Sequence, residues 1–226
     1  MPDISFDEWY DNLQEKDGMM MYISEKDLQK DDKNDIIKET DIKGHSSGQI
    51  GDTDGETTIT DIRPIDFNDK TAIAKEINDF AEKYAYADIE YAIVISPNGN
   101  MYSLTGTEKG VNAEIIGKDA LKGSIGIHNH PVWENNIMGD SFSIIDFKFT
   151  IENMQGKQYL VSGERRDAFE FTEYPSSDKS ETIWNEALKQ AWLTHRINGT
   201  NVEFEQQDVL REITNYLKGF NYYENI

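Results

Sequence analysis

The sequence predicts an α+β domain built on a central mixed β-sheet flanked by helices, and three observations carry that prediction. Apolar residues recur at three- and four-residue spacing over residues 69–87. Alternating segments separated by turn residues follow over residues 88–130. Helical periodicity then returns from Ser143 and again from Ile183, with two further short strand-like runs in between.

The elements follow in chain order. Residues 1–70 read as an acidic N-terminal extension: a short amphipathic start (Phe6, Trp9, Tyr10, Leu13), the stretch Met19 to Ile23, a charged run from Glu25 to Asp41, and a Gly/Ser/Asp-rich loop from Gly44 to Gly55. This segment holds 19 acidic and 8 basic residues, about half of the net charge. Asp69 to Ala87 reads as a helix through Ile73, Ile77, Phe80, Ala81 and Tyr84. Asp88 to Ser96 alternates, with Ile89, Tyr91, Ile93 and Ile95 on one face and Glu90, Ala92, Val94 and Ser96 on the other. Pro97-Asn98-Gly99-Asn100 supplies the turn, and Met101 to Thr105 completes a hairpin. Gly106 to Gly110 is expected to be a loop and Ala113 to Leu121 a short helix.

Lys122 to His130 is the next strand, ended by Pro131, which has no N–H for a ladder. Ser124, Gly126, His128 and His130 share one face, whose small residues are expected to leave room for a substrate. Ser143 opens a helix to about Asn153, Gln158 to Ser162 and Ala168 to Thr172 close the sheet, and Pro175-Ser176-Ser177 breaks the chain. Ile183 to Arg196 and Glu205 to Phe220 read as terminal helices. The expected division is an extension over 1–70, a metal-binding domain over 71–175, and a helical pair packed on the core over 176–226.

Composition narrows the function. The 226 residues carry 43 acidic against 22 basic side chains, a formal charge of -21, which repels phosphate backbones and anionic lipid. No nucleic-acid or membrane partner is expected. The absence of cysteine removes disulfides, thiolate zinc sites and cysteine nucleophiles. The acidic start Met-Pro-Asp-Ile and the lack of a long apolar run point to a cytoplasmic protein.

Four histidines occur in the whole chain, and two of them stand in His128-Asn129-His130-Pro131. On an extended strand, alternate side chains share a face about 6.6 Å apart, so both imidazoles can meet one ion; on a helix they would diverge. Asp146 supplies a third ligand, and zinc takes such sets readily, keeping one position open where it acts as a catalyst. Ser143-Ile144-Ile145-Asp146 also reads as a capping box. Water activated by the metal needs a carboxylate to carry its proton. Glu90 suits that role from its strand position, with Glu108 and Glu114 as alternatives. His45 reads as a solvated loop residue, and Trp184, Trp192 and His195 fall at helical spacing that suits core packing.

In its order of glutamate, His-x-His-Pro and Ser-x-x-Asp, this segment resembles the JAMM metalloprotease superfamily, also called JAB or MPN, and within it the RadC-like and phage- or toxin-associated bacterial branches. The resemblance spans roughly residues 88 to 172. It implies a JAB/MPN-like fold, zinc held by His128, His130 and Asp146, Glu90 as general acid and base, and Ser143 as a donor to the oxyanion. It further implies a metallopeptidase or isopeptidase acting on a protein or peptide substrate. The twelve residues from Pro131 to Phe142 exceed the family's usual spacing, which brings Trp133 and Met138 toward the cleft. A different class, a non-catalytic binding or assembly module of a phage or mobile-element system, fits the same resemblance. Metal-dependent phosphoester cleavage is a third reading, opposed by the net charge and by the lack of Lys or Arg between His128 and Asp146.

Overall fold

Asp69 starts the first long helix because its carboxylate accepts hydrogen bonds from the Thr71 and Ala72 backbone N–H groups, and the chain then runs helically through Lys70–Tyr84 (α1). In the computed structural model, residues 56–131, 141–197 and 206–226 are described, together with the backbone of three short strands, Leu13–Lys16 (β1), Met19–Tyr22 (β2) and Gln49–Ile50 (β3). The charged run, His45, Trp133 and Met138 lie outside the described residues, as does the side chain of His195.

Seven strands form one mixed sheet: Thr58–Pro64 (β4), Tyr91–Ile95 (β5), Asn100–Thr105 (β6), Ile125–Asn129 (β8), Lys157–Ser162 (β9), Arg165–Phe171 (β10) and Phe220–Tyr223 (β11). They lie in the order β11-β10-β9-β8-β5-β6-β4. Only β8 and β9 pair in parallel; the other neighbours are antiparallel. A parallel pair needs a crossover connection, and here it contains the helix Ile144–Glu152 (α3). The strand Gly110–Val111 (β7) and a one-turn helix, Lys118–Leu121 (α2), lie between β6 and β8. Ser180–Ile197 (α4) and Gln206–Tyr216 (α5) precede β11.

Alternation along the strands gives the sheet two covered faces. Ile93, Ile95, Ile127 and Val161 pack with Ile73, Phe80 and Ala81 of α1. On the other face Phe142, Phe147 and Ile151 join Leu160, Phe169 and Phe171, and Trp184, Leu188, Leu210 and Ile213 of α4 and α5 close over them. The α+β class with a mixed sheet flanked by helices is therefore the observed architecture, and Trp184 and Trp192 are core residues, 6% and 4% exposed.

Three elements differ from the sequence reading. The edge strand β4 comes from residues assigned to the extension, so the sheet reaches back to Thr58. The predicted helix over 113–121 is split into a 3-10 turn, Ala113–Ile116, and α2, because Gly117 adopts a positive φ of 88° between them. The last helix ends at Tyr216 rather than running to Phe220: Gly219, at φ 82°, reverses the chain, and Phe220–Tyr223 pairs with β10. A side chain at Gly219 would meet the Glu173 backbone nitrogen at 2.7 Å, which only glycine avoids.

Candidate metal centre

β8 lies between antiparallel β5 and parallel β9, and its residues from Gly126 to Asn129 are buried. His130 extends the ladder by one residue, donating its backbone N–H to the Val161 carbonyl at 3.0 Å, and Pro131 ends it. Both imidazoles thus project from one face of a strand end held on both sides, which is the extended geometry the motif needed.

The third group arrives from α3. Ser143 is its N-cap, and a full capping box forms: the Asp146 N–H donates to Ser143 Oγ at 3.3 Å, and the Ser143 N–H donates to Asp146 Oδ2 at 2.7 Å. The Ser143 hydroxyl also donates to Asp146 Oδ2 at 2.8 Å. The capping and ligand readings of Asp146 are therefore compatible. Oδ2 is fixed by the cap, and Oδ1 lies 3.4 Å from His128 Nε2.

The remaining distances are 3.2 Å between His128 Nε2 and His130 Nε2, and 3.9 Å from His130 Nε2 to Asp146 Oδ2. Four ligands at about 2.0–2.1 Å around a tetrahedral centre stand roughly 3.3–3.4 Å from one another. The two Asp146 distances run to different oxygens; one atom from each of the three residues lies within 4.8 Å of the others, so His128, His130 and Asp146 could hold a metal ion. Glu90 stands outside that group, and among the described residues no fourth ligand joins it. Burial, with His130 alongside, holds the His128 imidazole well below its usual pKa. It is therefore neutral, the form that ligates metals.

Glu90 immediately precedes β5. The register that sets Ala92 opposite His128 places it, two residues on, across from His130 and on the same face. Its backbone is gripped from two sides. Thr107 accepts from the Glu90 N–H and Gly106 donates to the Glu90 carbonyl, both at 2.9 Å. Gly106 must be glycine, since a Cβ there would collide with Gly110 and Val111. From β8, Asn129 Oδ1 accepts from the Tyr91 N–H at 2.8 Å and its amide donates to the Ile89 carbonyl at 3.1 Å. In the sequence Asn129 reads only as the strand residue between the two histidines, on the opposite face; no local motif announces this clamp, which depends on a partner 38 residues away.

Glu90 is fully buried, and among the described residues neither carboxylate oxygen has a hydrogen bond of good geometry. Burial, and then the Asp146 charge, push its pKa well above the ordinary carboxylate value, with the Val111 backbone N–H a weaker influence in the other direction. Glu90 therefore holds its proton more tightly than an ordinary carboxyl does. Glu108 and Glu114 are exposed and have no such surroundings.

One expectation is corrected here. Gly126 does not leave room for a substrate, because the Gln158 side-chain amide fills the space a Cβ would take. Gln158 donates to Gln155, which donates to Ser124 Oγ at 3.0 Å, so the small residues of β8 accommodate a buried polar chain instead. Among the described residues no helix is long and apolar enough to cross a membrane. No family model, curated protein or solved structure matches the chain, so the functional reading stands on the geometry of these side chains.

Proposed function

We propose that this protein is a zinc-dependent hydrolase of peptide or isopeptide bonds, of the kind its motif resembles in the JAMM superfamily. The observation that carries the reading is the combination of three buried groups that could hold one ion, no fourth His, Asp or Glu joining them among the described residues, and a buried carboxyl of raised proton affinity beside them. Structural zinc sites are closed by four protein ligands, whereas catalytic ones keep a position open. Two histidines and one aspartate suit zinc and iron(II) alike, and the hydrolytic motif this segment resembles is what selects zinc. Zinc bound there would acidify water and polarise a carbonyl. Glu90, in its ionised form, would accept the proton from that water and return it to the leaving amine, and its raised proton affinity makes it the stronger base. His128 and His130 would each offer an imidazole nitrogen to the ion, and Ser143 holds Asp146 in place. Its single hydroxyl proton already goes to Asp146 Oδ2, so the oxyanion role requires the hydroxyl to turn away from that acceptor.

A second reading, a non-catalytic binding or assembly module, is favoured by one feature: none of Glu90, His128, His130 and Asp146 is more than 1% exposed. Elemental analysis of the full chain and of His130→Ala, paired with hydrolysis of peptide and isopeptide substrates by wild type and Glu90→Gln, separates the possibilities. About one zinc per wild-type chain, none in His130→Ala and hydrolysis lost in Glu90→Gln is the expected result. Zinc without hydrolysis of any substrate leaves the binding module. No zinc in the wild type ends the hydrolase reading.

A further inference from the structure

β4 is the last strand of the main sheet. It pairs with β6 on one side, and among the described residues no strand pairs with the other. All of its residues, Thr58–Pro64, are exposed. The register sets Ile59 opposite Leu104, which lies in one row with Ala92 and His128, and Ile62 opposite Tyr102. Both isoleucines therefore stand on the face that carries the metal centre, where they are 40% and 55% exposed. Asp61 and Arg63 stand on the other face, and Arg63 reaches Glu76 of α1 there. The backbone alternates too. Ile65 donates its N–H to the Gly99 carbonyl at 2.9 Å, so along this antiparallel ladder Arg63 also turns its backbone groups toward β6, and Ile62 turns its own outward. Pro64 has no N–H to offer, and a bulge between Ile59 and Asp61 interrupts the strand on the other side of Ile62. The free edge is thereby reduced to one regular open position, Ile62.

The charges on the strand decide what fits against it. The chain as a whole carries -21, which drives copies apart. β4 itself is balanced, with one acid and one base flanking Ile62 on a shared face. An acidic or a basic segment laid along it would match one of these charges and oppose the other. A second β4, antiparallel and related by a two-fold axis at Ile62, matches both: Asp61 faces Arg63 of the other copy, and Arg63 faces its Asp61. An axis at Asp61 or at Arg63 instead sets like charges directly opposite, so the charges select one register. In that register the two Ile62 residues exchange their outward N–H and C=O groups, and their side chains meet on the metal-bearing face.

The geometry points to β4 as a self-pairing edge, through which two copies of this chain join their sheets into one, with both metal centres on the same side. Zinc plays no part in this pairing, so its test is independent of the hydrolase reading. Sedimentation of the full chain over about 1 μM to 1 mM should show a concentration-dependent monomer–dimer equilibrium. Asp61→Arg and Arg63→Asp, each checked for an intact thermal transition, should each weaken the dimer roughly tenfold, and Asp61→Arg/Arg63→Asp should regain the wild-type affinity. A second measurement uses the absence of cysteine from the chain. Ile62→Cys places a sulfur at the axis, where the Cα separation of paired strands lies within disulfide reach. On oxidation at a concentration where the wild type is dimeric, it should cross-link far faster than Tyr86→Cys, a 65% exposed position away from β4. A wild type that stays monomeric throughout, a dimer indifferent to the single charge reversals, a double reversal no tighter than the singles, or equal cross-linking of the two cysteine variants would each overturn the self-pairing.

Discussion

At the scale of single residues, the site holds a cost that the fold tolerates. A buried carboxyl beside a second carboxylate, with no good hydrogen bond, destabilises the native state wherever it is forced to ionise. Because the folded pKa lies above the ordinary 4.5, this penalty is absent below that value, grows as pH rises through the folded pKa, and is complete above it. Glu90→Gln should therefore stabilise the metal-free protein at neutral pH, by roughly 1–3 kcal/mol in chemical denaturation, while lowering hydrolysis about 10²–10⁴-fold. His128 works in the opposite sense. Its folded pKa lies below 6.5, so its contribution is present above 6.5 and is lost as pH falls from there toward the folded value. Denaturation between pH 7 and 5 should show a steeper acid loss in Glu90→Gln than in wild type and a shallower one in His128→Gln. Identical slopes in all three would mean that neither group has the environment described.

Among the elements, α3 and β8 carry the predictions because each does two jobs. Ser143→Ala removes the cap of α3 and the two hydrogen bonds its hydroxyl makes with Asp146. The expected cost is about 1 kcal/mol of stability and a 10–100-fold weaker zinc affinity by titration, since Asp146 loses its orienting partner. Gly126→Ala should cost about 1–3 kcal/mol through the clash with Gln158, and Gln158→Ala should relieve part of it in a double-mutant cycle; strict additivity would contradict the packing. The same elements explain what the sequence disclosed. α1 was legible because Asp69 and the Ile73, Ile77, Phe80 series state a cap and a period locally, and the β5–β6 hairpin because Pro97 to Asn100 spells its turn. β11 was not. Its four residues continue the apolar spacing of α5, and only Gly219 and the pairing with β10, long-range in sequence, make them a strand. Likewise the face of Gly126 looked open because the residue that fills it, Gln158, belongs to the neighbouring strand.

For the molecule as a whole, zinc should behave as a native-state ligand. At a free concentration about 100 times its dissociation constant it would add roughly 2.7 kcal/mol, a rise of about 5–10 °C in melting temperature that a chelator reverses and that His130→Ala lacks. No rise in the wild type would sink the metal reading. The mixed sheet and its helical cover were predictable as a class, because alternation and helical periodicity are local signals. The candidate metal grouping was predictable only as a list of residues; its convergence depends on a register between strands and a crossover that no local pattern encodes.

That crossover has a kinetic side. β8 and β9 cannot pair until the intervening chain, α3 included, has been laid across the sheet, so the two imidazoles and the aspartate meet only in the closing steps of assembly. An ion arriving earlier finds nothing to grip. Its effect should fall on the escape rate from the native state and leave the refolding rate nearly untouched.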